Sequence, residues 1–237
     1  VNAGAFVRST ITLAIGYALA AALLWGLLNV PESNVPALLL SALLVLLIAI
    51  MTGVTTGTAA ALSAHAGLFA SLRRAIRALP VFLLGVVIFA LLWWLTGVSE
   101  TWWNVHRGEV DALFLRYLGF TRTSPLHTTI FWLLSLVRWV LGLSLVVAPV
   151  VVSVRRGSGL LPGLRVATRL LPLLAATIGL LIITQGLWRV AYWRPGSLPA
   201  TQMEVVFAAA KLGLLYLAAM AVSAAVLGAY TRTADRA

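Results

Sequence analysis

Six stretches of this 237-residue chain are each long and apolar enough to cross a bilayer, and they constrain its fold more than anything else in it. A spanning helix needs about 20 predominantly apolar residues at 1.5 Å rise per residue. The stretches are Ile11–Asn29, closed by Pro31, then Pro36–Ala60, Pro80–Val98, Thr128–Val152, Leu170–Trp188 and Met203–Tyr230. Pro36 suits a helix start, where its missing N–H has no partner to lose. Backbone groups cannot go unpaired in lipid, and the runs lack the polar–apolar alternation of barrel strands, so each is expected to be a helix. The composition agrees: 62% of residues are hydrophobic and 10% charged, against roughly 45–50% and about 25% in soluble domains. The expected fold is therefore an all-α integral membrane protein, one transmembrane domain over residues 1–237. Ile11–Val30 lacks a preceding basic cluster and reads as a span rather than a cleaved leader.

Seventeen basic residues stand against six acidic ones. Most of the basic residues flank apolar runs, which is how topology is set against anionic lipid, so nucleic acid is not an expected partner. With six spans both termini share a side. Ten arginines fall on that side: Arg8, Arg73, Arg74, Arg77, Arg155, Arg156, Arg165, Arg169, Arg232 and Arg236. Five fall on the other: Arg107, Arg116, Arg122, Arg189 and Arg194. The positive-inside rule then places both termini in the cytoplasm and the chain in the inner (cytoplasmic) membrane. Trp93, Trp94, Trp102 and Trp103, with Trp188 and Trp193, cluster at outer span ends, the depth indole rings prefer.

A repeat organises the middle of the chain. Gly67–Pro80 reads GLFASLRRAIRALP and Gly159–Pro172 reads GLLPGLRVATRLLP, eight of fourteen positions identical at an offset of 92. Leu68, Leu72, Ile76 and Leu79 share one helical face, with Arg73 and Arg77 on its flank. Two cytoplasmic interfacial amphipathic helices are expected, with Arg73, Arg77, Arg165 and Arg169 meeting lipid phosphates. Pro80 and Pro172 would each open a new helix into the bilayer. Equal sidedness implies a parallel repeat over approximately residues 45–98 and 137–190. In both copies an L-x-x-A-x-x-x-L helix precedes a span, as Leu72–Leu79 and Leu164–Leu171. This pattern resembles poorly characterised bacterial multi-pass families, among them the membrane domain attached to some glycerophosphodiesterases. The resemblance covers about residues 45–190 and carries over no catalytic residue.

Enzyme chemistry is hard to place. Cysteine is absent, and the chain has no H-E-x-x-H, G-x-S-x-G or Walker A motif. His65, His106 and His127 are scattered, each expected to be solvated or interfacial, and offer no bis-His haem site. No acid lies in mid-span, which weighs against proton- or cation-coupled carriers. Two cations do enter apolar runs from the outer side, Arg138 and Lys211. With Gln185 and Arg189 at a similar level, they are candidates to contact an anion or a lipid headgroup; Glu204, seven residues before Lys211, is its ion-pair candidate. The bland alternative is that the cations snorkel or brace helices through backbone carbonyls. Thr52, Gly53, Thr55, Thr56, Gly57 and Thr58 of span two read as a helix-packing face. Ser99–Pro125 is too long for a turn and reads as an outer segment with a short helix over Glu109–Gly119, a lid, anchor or docking surface.

The expected function is a non-enzymatic integral membrane subunit, a scaffold or accessory chain of a membrane complex in contact with lipid. The alternative is the membrane component of a transporter for an anionic or amphipathic solute. No cofactor, metal or catalytic residue is expected, and the expected partners are membrane lipids and other membrane protein subunits.

Overall fold

The computed structural model describes residues 3–31, 34–62, 67–117, 124–157, 160–193 and 201–236. Among these residues every element is helical: α1 Ala3–Leu28, α2 Val35–Leu62, α3 Leu68–Tyr117, α4 Ser124–Leu136, α5 Gly142–Arg156, α6 Leu160–Ala167, α7 Leu170–Leu181, α8 Trp188–Tyr192 and α9 Thr201–Arg236. A π-helical segment, Val137–Leu141, joins α4 to α5, and a second, Ile182–Leu187, joins α7 to α8. Six helical stretches are long and apolar enough to span a membrane: Ala3–Leu28, Val35–Leu62, Leu68–Arg116, Leu126–Arg156, Leu170–Tyr192 and Met203–Arg236. Asn34 caps α2, its side-chain oxygen accepting from the Ala37 N–H at 2.9 Å. Gly157 closes α5 at φ 65°, a left-handed position that favours glycine, and its N–H returns to the Ser153 carbonyl.

The helices pack tightly at one end only. Leu13 of α1, Ala59 and Ala60 of α2, Val151 of α5, Val166 of α6 and Leu227 of α9 meet in one core near the chain termini. Small residues let the backbones approach. A Cβ on Gly16 would strike Thr55, one on Gly53 would strike Phe82, and one on Gly57 would meet Ala75. Ser9 donates to the Ala59 carbonyl at 3.0 Å, Tyr17 bonds Thr56 at 3.1 Å, and Tyr216 donates to the Ala14 carbonyl at 2.5 Å. Tyr230 and Ser144 join α9 to α5 through a short hydroxyl pair. At the same end Arg155 pairs with Asp235, whose carbonyl also accepts from Arg156. Towards the other end several helix faces are left open, although α3 and α4 still meet there. Leu39 is 67% exposed and Leu214 69%, and Trp25, Leu28 and Val206 are as open.

The two copies of the repeated motif fold differently, and this corrects one expectation. The first copy is no separate interfacial helix: α3 passes through Pro80 without a break. Its buried face is Ser71, Ala75, Ala78 and Phe82, while Leu68, Leu72 and Ile76 point outward. Proline removes an N–H and crowds the preceding turn, but α2 splints the helix on both sides of it, with Gly57 against Ala75 and Gly53 against Phe82. In the second copy α6 is a distinct helix, and Arg169, extended at φ −74° and ψ 144°, separates it from α7. The positions equivalent to Gly53 and Phe82 are Leu145 and Leu174, and Leu174 is exposed. Here Pro172 sits in the first turn of a new helix, where its missing N–H costs nothing. The part of Gly159–Pro172 before Leu160 lies outside the described residues.

A second correction concerns the outer segment. Residues 99–117 are no loop with a short helix; they continue α3, whose 50 residues reach roughly 75 Å at 1.5 Å per residue. That exceeds the roughly 30 Å hydrocarbon layer. Residues 118–123, which include Gly119 and Arg122, lie outside the described residues, as do Glu32, His65 and Arg194.

Candidate functional site

The continuation of α3 decides where the outer cations go. Trp93, Thr96, Glu100, Trp103 and Asp111 are spaced by three, four or multiples of a turn and form one stripe on α3. Arg138 lies in the π-helical segment of the returning span, where the extra residue per turn re-aims side chains. Its Nη2 meets Glu100 Oε2 at 2.7 Å, its Nε donates to Thr96 Oγ1 at 3.0 Å, and its guanidinium carbon stands 4.7 Å from the Trp93 ring centre. Trp93 in turn meets Trp139 edge-on at 5.1 Å. The cation is satisfied inside the chain.

One hairpin step further out, Trp103 Nε1 donates to His127 Nδ1 at 3.0 Å, and His127 Nε2 lies 2.7 Å from Asp111 Oδ1. An indole N–H can only donate, so Nδ1 accepts and the proton shared with Asp111 sits on Nε2. His127 is 4% exposed, which corrects the solvated half of the expectation for this histidine. His106 stacks on Trp102 and bonds its carbonyl. Glu100, Asp111 and the Trp103–His127 bond escape a sequence reading that ends span three at Val98. The three-and-four spacing of Trp93, Thr96, Glu100 and Trp103, carried past that point, is the signal that could have found them.

Lys211 does not pair with Glu204. Its Nζ donates to the Trp193 carbonyl at 2.6 Å, beyond the C-terminus of α8, and lies 5.7 Å from the Phe207 ring centre. Carbonyls at a helix C-terminus carry partial negative charge, so the ammonium braces two spans there. The structure thus does not bring Arg138 and Lys211 into one pocket. Gln185 lies in the second π-helical segment and Arg189 one turn beyond it in α8; both are exposed. Arg73, Arg77, Arg165 and Arg169 are all exposed at the tightly packed end.

A shallow depression of about 630 Å³ lies along the outer part of α3 around Trp94, Trp102 and His106, and two further cavities lie between helices. A central one of about 190 Å³ lies among the spans, with the hydroxyls of Tyr17, Thr56, Ser223 and Tyr230 at its wall. A second, of about 440 Å³, is a groove between α4 and α7 at the level of both π-helical segments. Trp132, Leu136 and Trp139 form one bank, and Thr177, Leu181 and Gln185 the other. Leu180 borders both cavities. No group of three or more metal-ligating side chains occurs among the described residues.

Fold and polar clusters together define an all-helical, multi-pass membrane protein whose ionic contacts brace helices. Scans against protein-family models, curated proteins and solved structures each found no match. The resemblance to multi-pass membrane domains therefore rests on the repeated motif alone.

Proposed function

We propose that this chain is a non-enzymatic integral membrane subunit, a scaffold or accessory chain that contacts lipid and packs against other membrane proteins. One observation carries the reading: the bundle is closed at one end and open at the other. Leu39 of α2 and Leu214 of α9 are apolar and touch little of their own chain, while the opposite halves of the same helices form the core. Arg138 and Lys211 support it, since both are engaged in holding spans together. The test is a photo-crosslinking amino acid placed at Leu39 or Leu214, with Ile76 at the closed end as control, in the native membrane. The expected result is a discrete protein adduct from the open-end positions and lipid adducts only from Ile76. Lipid adducts alone from all three positions would overturn the subunit reading.

A second reading, the membrane component of a transporter for an anionic or amphipathic solute, draws on Leu180, the shared wall of groove and central cavity. An ATPase among the crosslinked partners, or a bound solute, would favour it.

The proposed setting is the inner membrane with both termini cytoplasmic, as the ten-to-five arginine asymmetry requires. The proposed parallel repeat pairs α2 and the first turns of α3 with α5 and α6, whose exposed arginines would lie at the phosphate level. Its support is the eight-residue match at an offset of 92; Gly57 and its counterpart Pro149 both pack on the following helix, but one turn out of register, on Ala75 and on Gly163. The cysteine-free background allows a direct check on orientation. Asn104→Cys should react with an impermeant maleimide from outside and Thr168→Cys only after permeabilisation; the reverse pattern would invert the topology.

A further inference from the structure

The geometry points to the groove between α4 and α7 as a binding site for one anionic glycerophospholipid, its acyl chain between the two π-helical segments and its phosphate at Arg189. This rests on the lipid-contacting part of the proposed function and names the ligand class. Three observations order themselves from the groove outward, the first two on its wall and the third beyond it in α8. The groove's deep wall is largely apolar; Ser135 contributes one hydroxyl on the α4 bank, while the two threonine hydroxyls on the other bank are already engaged, Thr177 donating to the Leu173 carbonyl and Thr184 to the Leu180 carbonyl, each at 2.8 Å. The threonines therefore present methyl groups to an occupant. Gln185 comes next, an exposed amide with no hydrogen bond among the described residues, at the depth where a lipid's ester carbonyls would accept. Arg189 follows one turn further out, an exposed guanidinium with no ion pair among the described residues. Apolar wall, amide donor and cation reproduce the order of acyl chain, ester and phosphate.

Size and setting agree. About 440 Å³ falls within the roughly 300–1,000 Å³ of ordinary ligand sites. A water-soluble solute would leave the Trp132, Leu136 and Leu181 walls unmatched, whereas the bilayer supplies chains at that depth without further desolvation. For the same reason the chain adds little preference over bulk lipid, because lipid tails are as apolar as the groove. Headgroup choice falls to Arg189, whose fork suits a phosphate and whose charge favours a lipid with no compensating amine.

The experiment uses the full chain reconstituted in nanodiscs of equimolar phosphatidylglycerol and phosphatidylcholine, then released into mild detergent for native mass spectrometry. The expected result is one retained phospholipid, phosphatidylglycerol favoured about fivefold, which corresponds to the roughly 1 kcal/mol of one basic residue near an anionic headgroup. Leu181→Trp and Thr177→Phe, which fill the groove, should each abolish retention, whereas Leu214→Trp on the open apolar face should not. Arg189→Gln should keep a lipid but bring the ratio to about one. Retention unchanged in both filling variants, or a ratio unchanged in Arg189→Gln, would overturn the site. The crosslinking at Leu39 does not depend on this groove, so a failed lipid arm beside an intact protein adduct would refute the site and leave the subunit reading standing.

Discussion

Glu100→Leu is expected to destabilise this protein by about 3 kcal/mol, the scale for stranding one member of a buried ion pair. Arg138 and Glu100 side chains are only 15% and 27% accessible, and the pair spans two helices. Removing Glu100 leaves a guanidinium at membrane depth with only Thr96 and the Trp93 face. A cation near mid-bilayer costs about 2.5–3.5 kcal/mol even on lenient scales. Arg138→Leu should cost less, because the stranded Glu100 sits nearer the outer end of the span and can reach water. The double variant Arg138→Leu/Glu100→Leu should lie close to the wild type, since an apolar pair of similar bulk replaces a charged one without desolvation. Equilibrium unfolding in mixed micelles measures all four corners of the cycle. Strictly additive single effects would mean that the two side chains do not interact, contrary to their 2.7 Å contact.

The second large effect is expected at Gly163. A Cβ there would stand 2.3 Å from Pro149 Cα and 2.9 Å from its nitrogen, both backbone atoms of a fully buried residue. No rotamer change relieves such a clash, so α6 must move away from α5. Gly163→Ala should therefore cost the upper part of the about 1–3 kcal/mol seen for overpacking, and Gly163→Val more. Gly213 is the control. It is helical and exposed, with nothing within 4 Å of a built Cβ, so Gly213→Ala should be neutral or stabilise by up to about 1 kcal/mol through helix propensity. Thermal unfolding reports the loss, and faster amide exchange confined to α6 would localise it. Equal effects of the two alanines would remove the close-packing account of α6.

Six apolar runs were legible because the bilayer imposes a length and forbids unpaired backbone, and both demands act on local sequence. The packing face of α2 was legible for a similar reason, since Gly53, Thr55 and Gly57 advertise small volume wherever they stand. The repeat was legible as letters but not as shape. Pro80 and Pro172 are identical residues in matched motifs; α3 runs unbroken through the first with α2 packed on both sides of it, whereas the chain turns extended at Arg169 before the second, a difference that the shared letters do not carry. The outer polar clusters were hidden by the same limit. Reading span three as ending at Val98 put Glu100 in a loop, and only the unbroken α3 aligns it with Arg138, and Asp111 with His127. Local hydrophobicity thus determined how many helices there are and what lines them, whereas partner choice across 38 residues for Arg138 and 18 for Lys211 was settled by helix length and π-helical re-aiming, which depend on packing between segments far apart in the chain.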